Sequence, residues 1–245
     1  MNKDYEAKQE FEKLTKLLSD SNFLNNYYRD SLKIFKHIYL INHFKNRVET
    51  KRFFDSTFDR AFSLMLESIF LLYSGHIKAA MIILRSSQEM ILKSIIYQER
   101  QWIESFNLET QFEELDFRYT ENKRRLKKDI KPYLSEEFYN LYSSKIDQSQ
   151  TFYKELSGIV HSGNKAMDFK LYEYFSSLLE EDNISDEGLK LYIKILKNIT
   201  ELICFMMRDS LEKWDTYELE DLFSLTINKE KSRKNFIGIL KSEKY

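Results

Sequence analysis

The scarcity of chain-breaking residues is the strongest constraint that this sequence places on its fold. The 245 residues include a single proline, Pro132, and only five glycines. Tight turns between β-strands rely on these two residue types, so a sheet-rich fold would lack material for its connections. Apolar residues make up 42% of the chain, which is enough for a sizeable core. The sequence therefore predicts an all-α protein with one helical domain over residues 1–245.

Apolar residues recur at helical spacing along most of the chain. The clearest stripe has steps of three and four residues and predicts a long helix with one buried side: Phe54, Phe58, Phe62, Met65, Ile69 and Leu72. Gly75 marks a break, after which residues 77–102 predict a second long helix. We expect these two helices to form an antiparallel hairpin. Residues 189–214 predict another long amphipathic helix.

The expected domain divides into segments of different character. Residues 1–50 form N-terminal helices, residues 51–106 and 147–214 the core bundle, residues 107–146 a charged helical insertion outside the main core, and residues 215–245 a C-terminal tail. Ser135 is expected to cap a short helix within the insertion, and Asp147 to cap a new helix that ends near Gly163. A further helix is expected over residues 167–181, with apolar residues from Phe169 to Leu178.

Charge and hydropathy exclude several classes of protein. The net charge is −1, so any binding of nucleic acid must come from local patches. Glu67 and Arg85 interrupt the most apolar stretches well before the roughly 20 residues that a membrane helix needs. The first residues lack the apolar core of an export signal, and the single cysteine, Cys204, lies in an apolar run. We expect a cytoplasmic protein that does not enter the membrane.

Two polar segments stand out against the apolar pattern. On the helix over residues 77–102, Arg85 and Glu89 lie one turn apart, and charges on so apolar a helix must reach water or a partner. Arg85 and Glu89 are therefore either exposed, paired charges at the rim of the core or part of a functional site. In the second segment, Lys154, Ser157 and His161 follow at steps of three and four and would share one helical face.

Gly158 lies inside that second segment. A glycine within a helix costs about 1 kcal/mol relative to alanine, which indicates either a close approach to the backbone or a helix that is ending. In the second case His161 is simply placed near the negative end of the helix dipole. None of the four histidines has the spacing of a metal site, and glycine-rich phosphate loops are absent, so no metal or cofactor is predicted.

A short basic helix is a separate candidate for RNA binding. It contains Lys123, Arg124, Arg125, Lys127 and Lys128. If these residues bind phosphates, affinity should fall steeply with salt, because each neutralised phosphate releases a counterion. The alternative is a solvated helix that the acidic stretch "FEELD", residues 112–116, neutralises.

The segments "LRSSQEMILKSII" and "ELSGIVHSG" together resemble the HEPN superfamily of helical bundles, found in prokaryotic toxins and phage-defence proteins. The family signature is an arginine, a polar residue soon after it, and a histidine after four to six intervening residues. Here six residues separate Lys154 from His161, so a lysine stands where the arginine is expected. Lysine keeps the charge but loses the planar fork that binds a phosphate through two bonds.

The resemblance implies a metal-independent endoribonuclease in which an RNA 2′-hydroxyl attacks the adjacent phosphate. His161 would transfer protons, while Lys154 and Arg85 would stabilise charge on the phosphorane. Ser157, Asn164 and Glu89 would position the substrate. The resemblance also implies a homodimer and an antitoxin or sensor as partner. The alternatives are a non-catalytic adaptor that binds a protein or nucleotide, and an oligomeric scaffold.

Overall fold

Every regular element of the described chain is helical, as predicted. The computed structural model describes residues 2–18, 21–106, 110–161 and 186–242, with the backbone alone for residues 159–161 and 186. Within these ranges there is no β-strand. None of the helices in the same ranges has both the length and the apolar character needed to cross a membrane. The helix predicted over residues 167–181 lies outside the described residues.

The described residues form eleven α-helices. Their bounds are α1 Lys3–Leu17, α2 Asn22–Asn26, α3 Tyr28–Asn46, α4 Ser56–Tyr73, α5 Ile77–Glu104, α6 Tyr119–Ile130, α7 Glu136–His161, α8 Asp186–Met206, α9 Arg208–Leu211, α10 Thr216–Ser224 and α11 Glu230–Ser242. Single turns of 3₁₀ helix occur at Lys51–Phe53 and Lys131–Tyr133.

The predicted hairpin of α4 and α5 is confirmed. Ser68 donates to the carbonyl oxygen of Ala80 at 2.7 Å, and Ser87 donates to that of Ala61 at 2.8 Å, which fixes the two helices as antiparallel neighbours. Gly75 makes the turn with a φ of 84°, a left-handed conformation that favours glycine. The stripe from Phe58 to Leu72 faces the core. Helix α5 also packs against α6, α7 and α8, so it lies at the centre of the bundle.

The charged segment differs from its expected form. Tyr119, Leu126 and Ile130 of α6 belong to the same hydrophobic cluster as the rest of the chain, so this helix is part of the core instead of an excursion from it. Ser135 does accept a hydrogen bond from the backbone nitrogen of Phe138, at 3.3 Å. However, α7 then continues to His161 without a break, and Asp147 lies within it instead of capping a new helix.

The helix predicted over residues 189–214 also ends early. Helix α8 stops at Met206, and the short α9 follows. At this break the side chain of Arg208 turns inward and donates to the carbonyl oxygen of Phe205 at 3.0 Å. The C-terminal tail forms α10 and α11, and it docks through the buried Ile237 and Leu240.

Candidate functional site

The two polar segments meet between α5 and α7. The guanidinium of Arg85 donates a hydrogen bond to the hydroxyl of Tyr153 and lies 4.6 Å from the centre of its ring. Tyr153 directly precedes Lys154, so Arg85 reaches the helix that also carries Ser157 and His161. This contact, across 68 residues of sequence, places Arg85 against α7.

Tyr153 also links Arg85 to Glu89. Its hydroxyl donates to Oε1 of Glu89, and that oxygen lies 3.6 Å from Nη2 of Arg85. Burial and then the neighbouring Glu89 carboxylate raise the pKa of Tyr153, so the phenol keeps its proton at neutral pH and remains a donor. Tyr153 therefore links the opposite charges of Arg85 and Glu89 at a partly exposed site, while Nε of Arg85 is buried without a hydrogen-bond partner among the described residues.

A second tyrosine, Tyr119, packs against the ring of Tyr153. The rings of Tyr119 and Tyr153 are stacked with centroids 4.3 Å apart and planes inclined by 10°. The hydroxyl of Tyr119 is 2.7 Å from Oγ of the buried Ser149, which also accepts from Nε2 of Gln88 at 2.8 Å. Helices α5, α6 and α7 thus hold Tyr153 in place jointly. The sequence analysis missed Tyr153 because aromatic residues are too common in this chain to mark one of them.

Four other residues of the predicted site follow Tyr153 in the sequence: Lys154, Ser157, His161 and Asn164. Lys154 is exposed. Ser157 is half-buried, and its hydroxyl donates to the carbonyl oxygen of Tyr153 at 2.8 Å, one turn back on the same helix. His161 is the last residue of α7 and is described by its backbone alone, and Asn164 lies outside the described residues.

No atom of the described residues lies within 4 Å of a Cβ placed at Gly158. These residues therefore provide no close approach to the backbone there. Helix α7 is described as far as His161, three residues later.

The five basic residues predicted to bind RNA all form ion pairs. Lys123 and Lys127 lie 3.0 Å and 2.9 Å from the carboxylate oxygens of Asp147. Arg124, Arg125 and Lys128 lie 2.9 Å, 3.3 Å and 2.8 Å from those of Glu113. Hydrogen bonds from Lys128 and then Arg124 lower the pKa of Glu113 to about 2. The acidic stretch therefore neutralises much of this helix, and RNA binding there stays a prediction.

A buried ion pair lies deeper in the bundle. Glu99 and Arg208 are each only 1% exposed, and they pair through both prongs at 2.6 Å and 2.9 Å. The hydroxyl of Tyr142 donates to the same carboxylate at 3.0 Å, and the ring of Trp102 lies 4.2 Å from the guanidinium carbon. Nothing in the sequence marks this pair, since its members come from distant helices.

His37 and Cys204 are buried in the core. His37 is buried, and its Nδ1 lies 2.9 Å from the hydroxyl of Thr200. Because Thr200 gives its own proton to the carbonyl of Leu196, Nδ1 of His37 is the donor in this bond. Cys204 is buried, as predicted. Over the described ranges, no group of three or more His, Cys, Asp and Glu side chains is placed to hold a metal ion.

Comparison of this chain with protein-family models, with curated proteins and with solved structures gives no match in any of the three. The contacts described above are therefore the basis for assigning a function.

Proposed function

We propose that this protein is a HEPN-like RNA-directed effector, a metal-independent endoribonuclease that acts in the cytoplasm as a toxin or abortive-infection component of bacterial antiviral defence. Its site lies between α5 and the C-terminal end of α7. The observation that carries the proposal is the contact of Arg85 with Tyr153, the residue next to Lys154. It brings a second cation to the helix on which Lys154 and His161 are spaced as in the resembling family.

The proposed reaction is an internal transfer within RNA. His161 accepts the proton of the 2′-hydroxyl, the 2′ oxygen bonds to phosphorus, and the bond from phosphorus to the 5′ oxygen breaks. The same imidazole returns the proton to the 5′ oxygen, and the products are a 2′,3′-cyclic phosphate and a free 5′-hydroxyl. Lys154 and Arg85 stabilise the additional negative charge on the phosphorane.

Tyr153 and Glu89 position Arg85 for the stabilisation of charge on the phosphorane. Its guanidinium rests on the Tyr153 ring, which fixes the side chain next to α7. Ser157, Glu89 and Asn164 are proposed to position the substrate, with the site shared across a homodimer.

An RNA cleavage assay tests the proposal. Purified protein is incubated with total RNA in EDTA, and the termini of the fragments are analysed. We expect 2′,3′-cyclic ends with the wild type and loss of most cleavage in His161→Ala and Lys154→Ala. Lys194→Ala is the matched control, because Lys194 is an exposed lysine on another helix. Absence of cleavage, or cleavage that persists unchanged in both site variants, would refute the catalytic proposal.

A non-catalytic adaptor is the second candidate, and one surface feature favours it. Leu66 and Phe70 are 44% and 55% exposed, and they flank an apolar cavity of about 270 Å³ between α1, α3 and α4. Apolar surface of this kind suits a protein partner such as an antitoxin or sensor. The adaptor predicts no RNA cleavage in the assay above, and a partner complex that Phe70→Glu disrupts while His161→Ala leaves it intact.

A further inference from the structure

Phe117 is an apolar side chain that the fold leaves in solvent. It lies between α5 and α6, two residues before the first residue of α6, and it is 85% exposed. Of the large apolar side chains in the described ranges, it has the highest exposed fraction. Single apolar residues on a protein surface are common, so exposure alone does not mark a site. The surroundings of this ring are what distinguish it.

Hydrogen bonds fix the backbone on either side of Phe117. The side chain of the buried Asn122 bonds to both polar backbone groups of Asp116: its Oδ1 accepts from the nitrogen at 2.8 Å, and its Nδ2 donates to the carbonyl oxygen at 2.7 Å. The carboxylate of Asp116 accepts in turn from the backbone nitrogen of Arg118 at 2.8 Å. The ring is therefore presented at a fixed position, and a ligand that binds it does not have to order the chain first.

The cations beside Phe117 are already paired with a carboxylate. Oδ2 of Asp116 lies 3.0 Å from Nη2 of Arg118 and 3.8 Å from Nη2 of Arg125. A further carboxylate, Glu114, is exposed in the same segment. A phosphate would have to compete with these carboxylates, so the segment is poorly suited to bind RNA through charge. The uncharged ring is the group that remains for recognition.

Stacked side chains connect Phe117 to the proposed RNA site. Two residues of chain span at most about 7 Å, so the Cα atoms of Phe117 and Tyr119 lie within that distance of each other. Tyr119 stacks on Tyr153 with ring centres 4.3 Å apart, and the guanidinium of Arg85 lies 4.6 Å from the centre of the Tyr153 ring. Phe117 therefore lies beside the α5 and α7 site, within reach of nucleotides that extend from it.

A nucleic-acid base suits this environment better than a side chain of a protein partner. Anchor residues in protein interfaces are surrounded by contacts that exclude water, whereas the charged Asp116 and Arg118 adjoin Phe117 on both sides. A base needs only a flat apolar face, and the guanidinium of Arg118, 5.6 Å from the ring centre, adds a second planar group. Bases in a duplex are already stacked on one another, so only an unpaired base can bind the ring in this way.

We propose that Phe117 stacks on an unpaired base of the RNA, so that the substrate of this protein is single-stranded RNA. This inference rests on the proposed RNA-directed function, and it assigns Phe117 to substrate binding and not to the chemical step. Removal of the ring should therefore weaken binding without changing the number of phosphates that the protein contacts.

Anisotropy titrations of the full chain test this with a single-stranded RNA oligonucleotide that carries 2′-methoxy groups. Such RNA lacks the attacking hydroxyl, so binding is measured without cleavage by the proposed reaction. Phe117→Ala should bind about tenfold more weakly than the wild type, as expected for the loss of one stacked base. The slope of affinity against salt should stay unchanged, because no charge is removed. Phe117→Trp should retain the affinity. Tyr217→Ala is the matched control, because Tyr217 is an aromatic residue of α10 that is 82% exposed.

Removal of single bases from the oligonucleotide locates the contact. One abasic position should weaken binding of the wild type but change that of Phe117→Ala by less than about twofold, since ring and base act as a pair. A duplex of the same sequence should bind both proteins equally. The proposal is overturned if Phe117→Ala binds the single strand as the wild type does, or if it loses as much affinity for the duplex.

The same measurements separate this inference from the ribonuclease proposal. If the wild type cleaves unmodified RNA and Phe117→Ala binds normally, only the stacking role is lost. If binding depends on Phe117 and unmodified RNA stays intact, the stacking role stands and the ribonuclease proposal falls. Absence of any RNA binding overturns both.

Discussion

Glu99 and Arg208 pair through both prongs inside the core, although 109 residues separate them in sequence. Arg208→Met leaves the Glu99 carboxylate buried without its cation, and loss of one partner of such a pair typically costs about 3 to 5 kcal/mol. We therefore expect Arg208→Met to lower the free energy of unfolding by that amount in urea denaturation. The double variant Glu99→Met with Arg208→Met should be more stable than the single one, because no lone charge stays buried. A loss below about 1 kcal/mol in the single variant would contradict this.

Gly158→Ala should stabilise the protein. The position is helical, and a Cβ there meets no atom of the described residues within 4 Å, so alanine brings its better helix propensity without a clash against them. The expected gain is about 0.5 to 1 kcal/mol in the free energy of unfolding, measured by thermal or urea denaturation. Gly75→Ala is the matched control and should destabilise, because φ at Gly75 is 84°. If both variants shift stability in the same direction, the assigned backbone difference is wrong.

His37 should make stability depend on pH. Burial and then the charge of Lys197 lower its pKa from 6.5 to about 3. Below pH 6.5 the unfolded chain binds a proton that the folded chain excludes. The stability that this histidine contributes is therefore complete above 6.5 and falls as the pH drops towards 3, by about 1.4 kcal/mol per pH unit.

His37→Leu removes this titration. Its unfolding free energy should lose about 2 kcal/mol less than that of the wild type between pH 6.5 and pH 5. Denaturant unfolding at the two pH values measures the difference. Parallel pH profiles for the two proteins would show that His37 is not excluded from protonation in the folded state.

Asp147→Asn should increase RNA binding. Burial alone raises the pKa of Asp147, but Lys127 and Lys123 lower it by more, so the carboxylate is charged and neutralises both lysines. Its removal leaves two cations free on α6, and we expect tighter RNA binding with a steeper salt dependence. The stability loss should stay at about 1 kcal/mol, since Asp147 itself is about half exposed.

Glu230→Gln provides the control for this charge effect, because it releases Lys234 of α11 from an exposed pair at 2.6 Å. Filter-binding or anisotropy titrations at several salt concentrations measure both variants. Equal gains in the two would mean that net charge alone, and not the position on α6, determines RNA affinity.

The features that the sequence predicted correctly depend on local signals. The stripe along α4, the turn at Gly75 and the cap at Ser135 each follow from residues within one or two helical turns. The local capping rule fails at Asp147, which lies within α7 and pairs with two lysines of α6.

The contacts that define the candidate site were beyond such rules. Arg85 could be singled out as a charge on an apolar helix, but its partner Tyr153 could not, because the contact spans 68 residues. Likewise, the early end of α8 follows from the inward turn of Arg208, which its distant partner Glu99 determines. Side chains that act through tertiary partners leave no periodic pattern in the sequence.

The unbroken course of α7 over 26 residues gives the molecule a rod of about 39 Å. Near the middle of α7, Asp147 pairs with α6. Tyr153 contacts Arg85 a little under two turns later, and His161 is the last described residue of the helix. If a new helix began at Asp147, as predicted, the parts of the chain before and after it could change their relative orientation independently. Because α7 is one continuous helix, a tilt of the part that contacts α6 also moves the end that carries His161.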